Sequence, residues 1–155
     1  MAVESLTPTA RKYLESVRLI ERVHRQFLER LRVELERIGV FDVNNVQAVL
    51  LYNIGPEELS VRELTQRGHY QGSNVSYNLK KLIDAGYIAQ SPSPFDRRSV
   101  RVKATDTGLS LQRRLEGVFE RQAEDLTGSA LAPQDLIDLE RILRRIEQFW
   151  VTAGS

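Results

Sequence analysis

Cysteine is absent from the 155 residues, and there are only two histidines, one methionine and one tryptophan. The missing thiols remove disulfides, thiol nucleophiles and thiol-based redox sensing together. His24 and His69 stand alone with no cysteine beside them, which leaves no zinc or haem set and no expected cofactor. No apolar run approaches the roughly 20 residues that a membrane-spanning helix needs. The opening MAVESLTPTARKY also lacks the basic-then-apolar order of a signal peptide, so the expected place is the cytoplasm, without a membrane partner. A nucleophile–base pair, a phosphate-binding glycine loop and a metal signature are all missing, and catalysis is not expected.

What is present is an ordinary globular composition, 41% hydrophobic and 28% charged, with a net charge of +1. The distribution of that charge is uneven. Residues 60 to 103 hold eight basic and three acidic residues, a local +5, whereas the rest of the chain carries −4. A basic middle between acidic ends suits a polyanion.

Hydrophobic periodicity gives the elements. Tyr13, Val17, Ile20, Val23, Phe27, Leu31, Leu35 and Ile38 recur at threes and fours, so residues 8 to 38 form a helix about 45 Å long, starting at Thr7-Pro8 and stopping at Gly39. So long a stripe needs a partner helix. Residues 44 to 53 begin with capping asparagines and end before Gly55-Pro56. Ser60 and Glu63 have capping-box spacing, which predicts a short helix from 61 to about 67. A further short helix follows Gly72 and ends at Gly86, with Val75, Leu79 and Leu82 facing inward.

The period then changes to two. Residues 87–90 and 100–104 read as strands, and Pro92 and Pro94 force the loop between them. Residues 106–127 and 134–151 return to helix, separated by Gly128, with apolar stripes that end in Phe149 and Trp150. These two aromatics read more simply as interface anchors than as a ligand box. The fold class is therefore mainly α with a small β-hairpin wing: a winged helix-turn-helix between long N- and C-terminal helices. On its second short helix, Ser73, Asn74, Ser76, Tyr77, Lys80 and Lys81 point outward or to the flanks. A solvated face would also be polar. Small residues and amides at the helix start, with lysines a turn or two later, favour a surface that reads DNA.

The chain resembles the MarR family of bacterial transcription regulators. The matching residues are Asn74-Val75-Ser76-x-x-Leu79-x-x-Leu82, Gly86-Tyr87-Ile88, and above all Asp96-Arg97-Arg98-Ser99 followed by Val102-x-Ala104-Thr105-x-x-Gly108. Ala104 stands where leucine is usual, Ala132-Pro133 where Thr-Pro often opens the last helix, and Gln71-Gly72 where serine and a charged residue are common; Gln71 can alter which bases are read. The resemblance implies a homodimer on a pseudo-palindromic double-stranded operator, acting as a repressor. Residues 1–42 and 105–155 would dimerise, and residues 43–104 would bind DNA. It also implies that Asp96 braces the wing and that one of Arg97 and Arg98 enters the minor groove, where the negative potential is focused. Arg101 and Lys103 would face the phosphate backbone.

Family members often respond to a small aromatic or anionic effector bound between the dimer helices and the DNA-binding lobe. Tyr13, Arg18, His24 and Tyr52 are the candidates here, although each has a plainer role in packing or at the surface. His69-Tyr70, before the second short helix, either packs the turn or touches phosphate. Glu29, Glu34 and Glu36 alternate with arginines, which marks an ion-paired face rather than a catalytic carboxylate pair. A winged-helix scaffold without DNA readout is the alternative, and the charge on the wing speaks against it.

Overall fold

The computed structural model describes residues 5–68, 72–95 and 99–154. The chain divides into two compact units, the first ending at Gln112 and the second starting at Arg113.

In the first unit, α1 (Pro8–Arg37) starts as its sequence dictates. The Thr7 hydroxyl accepts the Ala10 amide at 3.2 Å and Pro8 occupies the first turn, where its missing amide costs nothing. It ends on Gly39 at φ 78°, a left-handed position, with the Val40 amide donating back to the Leu35 carbonyl at 2.9 Å. The apolar stripe of α1 is buried only near its end. Leu31 and Leu35 are core, whereas Tyr13, Ile20 and Val23 are exposed.

Helix α2 (Asn45–Ile54) carries a reciprocal cap in which the Asn44 side chain accepts the Gln47 amide and the Gln47 side chain accepts the Asn44 amide, at 2.8 and 3.0 Å. Ala48, Leu50, Leu51 and Ile54 are buried, and α2 packs against both α1 and α4 (Gly72–Asp84). Gln112 ties the second turn of the helix that starts at Asp106 to α2, donating to the Leu51 and Gly55 carbonyls at 2.8 and 2.9 Å. Helix α3 (Val61–Gly68) opens with the expected box: the Ser60 hydroxyl accepts the Glu63 amide and the Glu63 carboxylate accepts the Ser60 amide. Helix α4 (Gly72–Asp84) buries Val75, Leu79 and Leu82, and Ile83 is half-buried.

The sheet has three antiparallel strands in the order β1-β3-β2. Strand β1 (Leu59–Ser60) is too short to carry a period, and the sequence offers no sign of it; it pairs Leu59 with Val102 and Ser60 with Arg101. Strands β2 (Ile88–Pro92) and β3 (Val100–Ala104) form the wing. The expected stop before Pro92 is corrected, since Pro92 is the last residue of β2 and pairs with Val100. Proline is tolerated at the end of an edge strand because no further ladder bond depends on its amide.

The second unit holds the remainder of α5 (Asp106–Ser129) and α6 (Pro133–Ala153). Gly128 does not separate them, because it lies inside α5; a single glycine costs a helix only about 1 kcal/mol. The break falls at residues 130–132, where the Ala130 and Leu131 amides both donate to the Leu126 carbonyl. Ala132 has no side-chain acceptor, so α6 begins with half a cap, the Asp135 carboxylate on the Ala132 amide at 2.8 Å. Leu115 and Val118 are buried, but no residue of α6 is, and Ile137, Leu139, Ile142, Phe149 and Trp150 are exposed.

Candidate nucleic-acid interface

The outward side of α4 carries the residue types expected from the sequence. Ser73, Asn74, Ser76, Tyr77, Lys80 and Lys81 are all exposed. The Lys81 ammonium lies 5.5 Å from the centre of the Tyr77 ring, one helical turn away, which biases the orientation of a ring that is 61% exposed. Asn78, on the flank of the same helix, accepts a hydrogen bond from the Gln47 side chain at 3.3 Å. The residue that caps α2 therefore also holds α4 in place.

The wing is mounted on α5 by three contacts. Gly86, at φ 84°, ends α4, and its carbonyl accepts the Thr105 hydroxyl at 2.7 Å. The Thr105 amide donates to the Tyr87 carbonyl at 3.0 Å, and the Thr105 hydroxyl oxygen caps α5 by accepting the Gly108 amide at 3.1 Å. A Cβ on Gly108 would lie 2.1 Å from the Tyr87 carbonyl oxygen, so only glycine fits. These contacts are the physical content of the Gly86-Tyr87 and Thr105-x-x-Gly108 patterns. Tyr87 is also buried, and its hydroxyl donates to Asp42 at 2.8 Å, fastening the base of the wing to the α1–α2 connection.

Of the expected DNA contacts on the wing, Lys103 is exposed. Arg101 is half-buried, 3.6 Å from the Glu58 carboxylate, which also accepts the Ser91 hydroxyl at 3.2 Å. Glu58, just before β1, thus links side chains of β2 and β3. Glu63 lies close enough to feel Arg101: the Ser60 amide holds the Glu63 carboxyl below the ordinary glutamate value, with Arg101 and Arg67 adding positive charge. A groove between the start of α3, the later turns of α4 and the wing is lined by Arg62, Ser76, Lys80, Gln90, Ser99 and Val100. Gln71, Asp96, Arg97 and Arg98, together with His69 and Tyr70, lie outside the described residues.

Residues 43–108 match the winged helix DNA-binding domain family model. The chain is 42% identical over 142 residues to the exopolysaccharide II synthesis transcriptional activator ExpG of Rhizobium meliloti, covering 92% of this chain and 73% of that one. It is 27% identical over 108 residues to the HTH-type transcriptional regulator TcaR of Staphylococcus aureus, covering 68% and 71% of the two chains. Among solved structures, a MarR transcriptional regulator from Methanosarcina mazei superposes with a TM-score of 0.74 at 19% identity, over 91% of this chain and 99% of that one. A mutant MarR from E. coli complexed with operator DNA superposes with a TM-score of 0.73 at 22% identity, over 87% and 95%. The chain belongs to the MarR family. It is a DNA-binding transcription regulator with the winged-helix fold.

Within this MarR-family chain the four effector candidates are not brought together. His24 lines a crevice of about 330 Å³ between α1, α2 and α4, with Leu28, Val46, Val49, Asn53 and Asn74. Its ring stacks on Phe27, the centroids 6.5 Å apart. Arg18 lies on a different part of α1, among Arg11, Arg22 and Arg25. Tyr13 is exposed and Tyr52 half-buried, and neither lines the crevice. The acidic run on α1 is an ion-paired face, with Arg32 bound to Glu29 and Glu36 and Arg37 to Glu34. Among the described residues, no group of three His, Asp or Glu is placed to hold a metal ion, and no helix is long and apolar enough to cross a membrane.

Proposed function

We propose that this regulator binds a pseudo-palindromic operator as a homodimer, with α4 in the major groove and the wing in the minor groove beside it. Residues 43–104 read DNA, while residues 1–42 and 105–155 pair the two copies. The observation that carries the reading is the exposed face of α4, where Ser73, Asn74 and Ser76 precede Tyr77, Lys80 and Lys81. Short hydrogen-bonding side chains at the start of the helix suit base edges, and the later lysines suit phosphates. Gln71 would add a contact before the helix, and Arg97 or Arg98 would enter the minor groove, with Asp96 bracing the other. Arg101, engaged by Glu58, acts from the base of the wing.

Two copies would set their recognition helices about 34 Å apart, one turn of duplex. A small aromatic or anionic effector taken up beside His24 would touch Asn74 on α4 and shift that spacing, in favour of the unbound state. Tyr13, Arg18 and Tyr52 contribute to such a response only from other surfaces. Repression follows where the operator overlaps a promoter. The 42% identical relative, named as an activator, supports activation as a second output of the same scaffold. Acting on DNA, the protein works in the cytoplasm.

Selection of bound sequences from random duplex DNA by the purified protein tests the reading. The expected result is an enriched inverted repeat. Asn74→Ala should then cost about 1–3 kcal/mol on that sequence and relax preference at one position of each half-site. No enrichment, or an equal loss on every sequence, would sink it.

A further inference from the structure

Phe95 is 96% exposed, more than any other large hydrophobic residue among those described. Single exposed apolar residues are common, so exposure alone decides nothing. The position of Phe95 decides more. The Ser93 amide donates to the Ser99 carbonyl at 3.0 Å, just beyond the last strand pair, Pro92 with Val100. Phe95 therefore sits past the closed end of the hairpin, on the connection whose next residues are Asp96, Arg97 and Arg98. Pro92 and Pro94 restrict the backbone leading to it, and its amide donates to the Ser93 hydroxyl at 3.3 Å, a local turn that shapes the backbone from which the ring projects. A bare aromatic ring followed in the sequence by two arginines is poorly suited to an ordinary apolar protein pocket, which would have to desolvate those charges. A minor groove suits both groups. Its floor attracts guanidinium, its walls are the apolar faces of deoxyribose, and its base steps can open to an apolar wedge.

We propose, on the operator-binding reading above, that Phe95 is a DNA-contacting residue of the wing, packing its ring against the sugar wall or a base step of the minor groove that flanks the sequence read by α4. The contact is apolar, so it adds affinity and favours flexible flanking steps without neutralising a phosphate. Phe95 separates in this way from its arginine neighbours, whose contribution weakens as salt rises.

The test uses the full chain and the selected operator duplex with its flanks. Phe95→Ala should weaken binding about tenfold, and Phe95→Leu should retain most of the affinity. The slope of log affinity against log salt should stay unchanged in both, while Arg98→Ala makes it shallower. The difference between Phe95→Ala and the parent should disappear on a duplex trimmed of its flanks. Unchanged circular dichroism keeps a folding defect from imitating the effect. Affinity of Phe95→Ala within about twofold of the parent on the long duplex overturns the contact, even where the parent still selects a sequence. A change in oligomeric mass without a change in DNA affinity also overturns it and assigns the ring to a protein surface. If the parent selects no sequence at all, the operator-binding reading has failed instead.

Discussion

At Gly108 the missing side chain is a packing requirement. The first turn of α5 passes so close to the turn between α4 and β2 that a Cβ would lie 2.1 Å from the Tyr87 carbonyl oxygen and 3.2 Å from the Ala104 Cβ. Backbone on one side and a buried residue on the other leave little room to yield. Gly108→Ala is therefore expected to destabilise the fold by about 2–3 kcal/mol, the range for forced overpacking, read as a lower midpoint in urea unfolding. Gly128 makes the contrast. It is exposed within α5, and nothing lies within 4 Å of where its Cβ would be. Gly128→Ala should stabilise by roughly 0.5–1 kcal/mol. An equal effect of the two substitutions would mean that the approach to Tyr87 does not constrain the fold.

At the scale of elements, the caps are where local sequence and structure agree most closely, and α3 offers a test. Glu63 accepts the Ser60 amide, and this bond keeps its carboxyl below the ordinary glutamate value. A carboxylate whose folded value is depressed contributes stability that is present above its unfolded value and is lost as pH falls through the folded one. Glu63→Ala should therefore lower the melting temperature at neutral pH, and the gap should close as the solution is acidified below the ordinary glutamate range. A gap that persists at low pH would show that the side chain acts through packing. Ser60, Glu63, Asn44, Thr7 and Gly86 were all legible because a cap is written within about four residues. Strand β1 was not, since two residues have no period and its existence depends on Val102 and Arg101, some forty residues away. Long separation in the chain also hid the Gln47–Asn78 bond, 31 residues apart, and the capture of Arg101 by Glu58. In the candidate site, the exposed face of α4 was legible from its inward stripe, whereas the dispersal of Tyr13, Arg18, His24 and Tyr52 over separate surfaces was not.

For the whole molecule, bare apolar surface on both units sets the expected behaviour in solution. Ile20 and Val23 on α1, and Ile142, Phe149 and Trp150 on α6, are exposed on helices whose periodicity is that of core. The proposed pairing of two copies through these helices predicts that Ile142→Glu will lower the mass seen in sedimentation toward that of one chain. It should also weaken binding to the full operator far more than binding to a half-site, because the advantage of two linked sites is lost. Equal loss on both duplexes would argue for a direct effect on the DNA-binding lobe. The borders of the small sheet are built against pairing with another chain. One border is the two-residue β1, and the other is β2, which finishes in proline. Neither offers a long row of free amides for a foreign strand to extend. Molecules crowded along a promoter can thus keep their wings bare without templating fibrils.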